Sequence, residues 1–242
     1  MTQQKLAVIG ECMIELSQQG REMSRGFGGD TLNTAVYVAR QVPEQALRVD
    51  YVTALGSDSF SREMVAAWQS EGLHTDLIQR MEDKLPGLYV IETDPQGERT
   101  FYYWRNDAAA RYWLEGERAE AICRQLAHYD YLYLSGISLA ILSAPAREKL
   151  YALLAACRAN VGKIIFDNNY RPRLWQSQEE ARTAYQAMLT LTDIAFLTLD
   201  DEILLWGDAP VAEVIARTQQ AGASEIVIKR GADACLVASG QD

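Results

Sequence analysis

Short apolar runs alternate with longer helical patterns along this chain, and that rhythm restricts the fold more than any other feature. LAVI (6–9), YVTAL (51–55), YLYLS (131–135), KIIFD (163–167), IAFL (194–197) and EIVIK (225–229) are short and apolar, as parallel strands covered on both faces require. Helical spacing recurs near 58–71, 143–159, 177–190 and 210–221, giving repeated βα units. Such units close into a doubly wound, mostly parallel sheet flanked by helices, so the expected class is α/β. A chain of 242 residues, 48% of them hydrophobic, can bury the core this sheet needs. One core domain over 1–242 with an insertion is the expectation.

The insertion is where the rhythm breaks. LYVIETDPQGERTFYYWR (88–105) reads as two strands around DPQGE, with the aromatic and β-branched content of a half-exposed pleated surface. If DPQGE (94–98) is a five-residue loop, Thr93 pairs with Arg99, Ile91 with Phe101 and Tyr89 with Tyr103. A four-residue turn would slip the register by one and set Tyr89 and Tyr103 on opposite faces. Side chains alternate along a strand, so Phe101, Tyr103 and Arg105 share one face. With CMIELS (12–17), the hairpin forms a small antiparallel sheet standing off the main domain. An ordinary surface hairpin, or the edge of a homo-oligomer, remains the alternative, and Arg105 would then be a solvated charge.

RGFGGDTLNTAVYVARQV (25–42) sets Gly28 and Gly29 directly ahead of a helical pattern, with Asn33 in its first turns. Glycines leading into a helix N-terminus suggest phosphate, yet neither GxxxxGK[ST] nor GxGxxG can be read here. The plainer reading has Asp30 or Thr31 capping the helix, with Leu32, Ala35, Val36, Ala39 and Val42 as its buried stripe. Capping does not account for the glycine pair or for Asn33.

The 33 acidic against 23 basic residues leave a net charge of −10, which argues against a nucleic-acid or anionic-membrane surface. An anionic ligand must therefore meet a local cluster of Arg and Lys. Cys12, Cys123, Cys157 and Cys235 are widely spaced and only His74 and His128 are histidines, so neither zinc spacing nor a disulfide framework is visible. No leader-like or membrane-spanning run is apparent, and a cytoplasmic protein is expected.

In open α/β sheets ligands bind beyond the carboxyl ends of the strands. Three loops qualify. NNYRPRLW follows KIIFD and brings Arg171 and Arg173, suited to carboxylate or phosphate. RGADA follows EIVIK, where Gly231 allows a tight turn. TLDDE follows IAFL, and its Asp200, Asp201 and Glu202 could open a helix or hold Mg²⁺ through water.

The order GECMIELS, GFGGDTLNTA, LGSDSF, LPGLYVIETDPQGERTFYYWR, FDNNYRPRLW and VIKRGADA resembles the ribokinase-like (PfkB) sugar kinases along essentially the whole chain. It is most similar to their branch that acts on a 2-keto-3-deoxy sugar acid. The resemblance implies ATP-dependent phosphorylation of that acid on its terminal hydroxyl, with Mg²⁺, on a Rossmann-like core closed by a β lid built from segments near 11–27 and 86–106. It implies a substrate site of Gly28, Gly29, Asn33, Tyr89, Tyr103 and Arg105, in which Arg105 pairs with the carboxylate. It also implies Arg171 beside the transferred phosphate, Lys229, Arg230, Gly231 and Asp233 lining the nucleotide, and Thr198 and Asp201 at the positions of the family's Asn-x-x-Glu motif.

Three departures stand out. Thr198 and Asp201 replace both motif residues, and Asp30 and Thr31 differ from the small residues usual after the glycine pair. The family's DTxGAGD-like signature, which supplies an anion hole and the catalytic Asp, does not occur before LVASGQD. A C-terminally incomplete kinase is therefore expected, one that binds its sugar acid more readily than it turns it over. Another PfkB sugar kinase such as a fructokinase, or a non-catalytic sugar-acid-binding chain, is the alternative.

Overall fold

The computed structural model describes residues 3–20 and 22–240, and the chain divides into two compact units, residues 1–122 and 123–242. Arg21, within the lid segment, and Gln241 and Asp242, at the end of LVASGQD, lie outside the described residues.

The first unit carries β1 (Gln4–Ile9), β2 (Met13–Gln19), β3 (Glu22–Gly28), α1 (Asp30–Gln41), β4 (Leu47–Val52), β5 (Ala54–Leu55), α2 (Ser59–Ser70), β6 (Gln79–Arg80), β7 (Leu88–Thr93) and β8 (Arg99–Trp104). β1 and β4 pair in parallel, Val8 beside Tyr51, and α1 packs on both. Val8, Ile9, Tyr51 and Val52 are fully buried there, and the Tyr51 and Trp68 rings meet edge to face at 4.8 Å. The run YVTAL does not stay in one strand. It leaves the sheet at Thr53, whose carbonyl accepts the Gln79 amide at 3.0 Å, and Ala54–Leu55 pairs with β6 instead.

The sheet expected to form the lid has four strands in the order β3-β2-β7-β8. Its two hairpins are antiparallel, while β2 and β7 run parallel because α1, β4 and α2 intervene between them. The β7–β8 register has Thr93 opposite Arg99, Ile91 opposite Phe101 and Tyr89 opposite Tyr103, as the five-residue loop requires. Asp94 fixes that loop: its carboxylate accepts the amides of Gln96 and Glu98, each at 2.9 Å, and Gly97 takes φ +87°. β3 is a strand that sequence pattern did not reveal. EMSRGFG lacks apolar alternation, and pairing to β2 across the turn at Gly20 holds it extended.

α3 (Ala119–Leu126) spans the division. The second unit follows with β9 (Tyr131–Ser135), α4 (Gly136–Ala140), α5 (Ala144–Ala159), β10 (Lys163–Asp167), α6 (Gln178–Leu191), β11 (Ile194–Thr198), α7 (Leu199–Trp206), α8 (Val211–Ala221), β12 (Glu225–Arg230) and β13 (Asp233–Ser239). β9 to β12 form a parallel ladder, and β13 closes it antiparallel. The ladder's apolar runs are buried as expected: Leu132, Leu134, Ile164, Phe166, Ala195, Leu197, Ile226 and Ile228 are no more than 1% exposed. Serines start the helices cleanly, Ser143 accepting the Ala146 amide and Ser177 that of Glu180. Among the described residues no helix is long and apolar enough to cross a membrane.

Candidate active site

The glycine pair ends β3 and opens α1. Gly29 itself is the N-cap, extended and without a side-chain cap, so neither Asp30 nor Thr31 caps the helix. Thr31 points inward instead, its hydroxyl 3.0 Å from that of Tyr51. In the stripe, Leu32 and Ala35 are buried, and Val36, Ala39 and Val42 are half-buried. Close packing explains both glycines. A Cβ on Gly29 would overlap the Glu11 carbonyl oxygen, and one on Gly28 would overlap the Tyr89 hydroxyl. Asn33 stands exposed one turn into α1, its backbone amide bonded to the Gly29 carbonyl at 2.9 Å.

Across the lid, Tyr89, Phe101 and Tyr103 form one aromatic wall, with Tyr89 and Tyr103 centroids 5.9 Å apart and Phe101 and Tyr103 stacked at 6.3 Å. Tyr89 is buried and donates its hydroxyl to Glu15 on β2. Burial, reinforced by the Glu15 carboxylate, raises its pKa well above the phenol range. Arg105 follows β8 on the same face, its guanidinium 6.0 Å from the Tyr103 ring centre. It is not a solvated charge. Its side chain is 7% exposed and is ion-paired to Glu11, whose side chain is 1% exposed. The structure therefore brings Gly28, Gly29, Tyr89, Tyr103 and Arg105 together, joined by Glu11 and Glu15.

The second unit gathers the other candidates at the carboxyl ends of its strands. Asn168, 1% exposed, follows β10 and serves as the hub. Its Oδ1 accepts the Thr198 amide at 2.9 Å and the Asn169 amide at 2.8 Å, while its Nδ2 donates to the Thr198 carbonyl at 3.1 Å and to Glu202 at 3.0 Å. This pins the start of α7, at which Thr198 is the N-cap. Asp201 accepts the Tyr170 amide at 3.3 Å and faces Arg171 at 3.4 Å. The Arg171 guanidinium also donates to the Tyr170 carbonyl at 2.8 Å and stays half exposed. Lys229, at the end of β12, pairs with Asp167 at 2.7 Å. Gly231 (φ +59°) makes the tight turn into β13, and the Arg230 guanidinium folds back onto the Ala234 carbonyl at 2.7 Å. Asp233 is exposed opposite Arg230.

Burial raises the Asp201 carboxyl above its ordinary range, with Arg171 opposing, and does the same to Glu202 against Asn168 and Arg217. Among the described residues no group of three His, Cys, Asp or Glu forms a metal cage. Glu202 is engaged by Asn168 and Arg217, Asp167 by Lys229, and Asp201 by the Tyr170 amide and Arg171.

The model of the pfkB family of carbohydrate kinases matches residues 3–242. The chain belongs to that family. It is 70% identical over 237 residues to the 2-dehydro-3-deoxygluconokinase of Dickeya dadantii strain 3937, covering 98% of this chain and 76% of that protein. It is 69% identical over 233 residues to the 2-dehydro-3-deoxygluconokinase of Escherichia coli K12, covering 96% and 75%. The crystal structure of a PfkB protein from Polaromonas sp. JS666 shares the fold, with a TM-score of 0.84 at 24% identity over 98% of this chain and 79% of that one. As a carbohydrate kinase the chain uses ATP and a sugar substrate.

Sequence reasoning passed over Glu11 and Glu15. Their signal was available: two carboxylates in the otherwise apolar stretch GECMIEL, where burial demands partners.

Proposed function

We propose that the chain phosphorylates 2-dehydro-3-deoxygluconate (2-keto-3-deoxygluconate) on its terminal hydroxyl, with ATP as donor. The observation that carries this reading is Arg105: a guanidinium held on the face of the Tyr89–Tyr103 wall, in a chain 70% identical to a protein of that name. A planar fork of donors suits a carboxylate, and a neutral ketose offers it no equivalent group. Tyr89 and Tyr103 stack along the sugar-acid backbone, Gly29 lets main chain approach its oxygens, and Asn33 bonds a hydroxyl. In the second unit Arg171 and Lys229 supply positive charge for the phosphates, and the Gly231 turn leaves backbone amides free to line the nucleotide. Mg²⁺, when bound, neutralises phosphate charge. Asp201 is the residue that would orient it, through water.

The test is binding by titration calorimetry of 2-keto-3-deoxygluconate and of 3-deoxyfructose, which has CH2OH in place of the carboxylate, to the protein and to Arg105→Ala. Losing a hydrogen bond to a charged group costs about 1.5–3 kcal/mol, or roughly 10- to 150-fold in affinity. That loss is expected for the acid and not for 3-deoxyfructose. Equal weakening of both would overturn the sugar-acid reading in favour of a neutral-sugar kinase.

A further inference from the structure

The Glu11–Arg105 pair is buried yet incompletely bonded. The pair uses one guanidinium NH2 and one carboxylate oxygen. The other Glu11 oxygen and the Arg105 Nε–H are both buried with no hydrogen-bond partner. A fork-to-fork pair would have satisfied both, so the geometry leaves donor capacity on Arg105 for a second carboxylate. Glu11 is tightly confined. Its main chain abuts Gly29, and a Cβ on Gly87 would come within 2.7 Å of its free oxygen.

We propose that Glu11 is an exchangeable counter-ion: it holds Arg105 in the empty chain, and when a ligand carboxylate takes over the guanidinium, Glu11 picks up one proton from solvent and stays buried as the neutral acid. The inference rests on the sugar-acid reading above. The balance is simple. One anion binds at Arg105, one proton is taken up to form an O–H bond on Glu11, and the net charge around Arg105 is unchanged.

The surroundings favour this exchange. The charged and titratable groups facing Glu11 are Arg105 after β8, Arg111 in the 3-10 turn that follows the lid, Asp30 at the start of α1, Cys12 beside it and Tyr51 on β4. Arg105 is the first of the groups that hold it ionised, ahead of Arg111, while burial already lifts its pKa and Asp30 adds to the lift. Withdrawing Arg105 toward another anion leaves a carboxylate at 1% side-chain exposure with its main counter-charge spent, a state that protonation relieves.

Titration calorimetry of 2-keto-3-deoxygluconate in buffers of different ionisation enthalpy measures the proton count directly. Uptake approaching one proton per acid bound is expected where Glu11 starts ionised, with affinity falling up to tenfold per pH unit, and 3-deoxyfructose should bind with no uptake. Glu11→Gln, which cannot take a proton, should bind the acid with no uptake and a flat pH profile. Acid binding without proton uptake by the unaltered chain would overturn the inference and leave the sugar-acid reading intact. Uptake that persists in Glu11→Gln would overturn it as well. Preference for 3-deoxyfructose over the acid would defeat both.

Discussion

Replacing Gly29 by Ala tests whether the glycine pair answers to packing as well as to ligand. Gly29 is extended, a conformation any residue adopts, so the substitution acts through contact alone. The new Cβ would overlap the Glu11 carbonyl oxygen and stand 3.2 Å from the Cys12 Cα and 3.3 Å from the Glu11 carbonyl carbon. All three are main-chain atoms between β1 and β2, and relief requires moving that segment. Overpacking costs about 1–3 kcal/mol. At about 2–4 °C per kcal/mol for a chain of this size, the melting temperature should fall by roughly 2–12 °C. Thermal unfolding followed by circular dichroism reads this, and a control sharpens it. At Gly28 the obstructing atom is the Tyr89 hydroxyl, so Gly28→Ala should be partly rescued in a Tyr89→Phe background, whereas Gly29→Ala should not. A Gly29→Ala chain within about 0.5 kcal/mol of the parent would refute the packing argument.

Two further outcomes follow from hydrogen bonds in the two units. Tyr185, fully buried among Phe166, Tyr170 and Trp175, donates to the Asn168 carbonyl and so holds the loop that carries Arg171; Tyr185→Phe should cost about 1–3 kcal/mol in urea unfolding. Asp58 caps α2 through the Ser61 amide at 3.0 Å, and although burial opposes it, bonds to Ser61 hold its carboxyl below the ordinary 3.8. Its contribution is therefore present above pH 3.8 and lost as pH falls through the lower folded value. Asp58→Ala should cost about 0.5–2 kcal/mol at neutral pH, with the gap to the parent narrowing below pH 4.

The parallel ladder and its helices were legible because local pattern decides them. The helices expected near 143–159 and 177–190 run Ala144–Ala159 and Gln178–Leu191. The lid register was legible too, since DPQGE fixes loop length and the strand period then fixes which residues oppose. β3 was not, because a glycine-rich segment is made a strand by its partner. The cap of α1 was misassigned because Tyr51, on another element, draws the Thr31 hydroxyl inward. The Arg105–Glu11 pair joins residues 94 positions apart, a separation at which no local rule specifies a partner. Asn168 read as one polar residue among several, and its role as hub emerges only when β10 and β11 bring Thr198 beside it.

The most direct test of the account is a crystal structure of the chain with 2-keto-3-deoxygluconate. The account predicts the ligand against the Tyr89–Tyr103 wall, its carboxylate within about 2.7–2.9 Å of the Arg105 guanidinium and Glu11 released from its ion pair. A ligand bound with its carboxylate in solvent, and Arg105 still paired to Glu11, would contradict it.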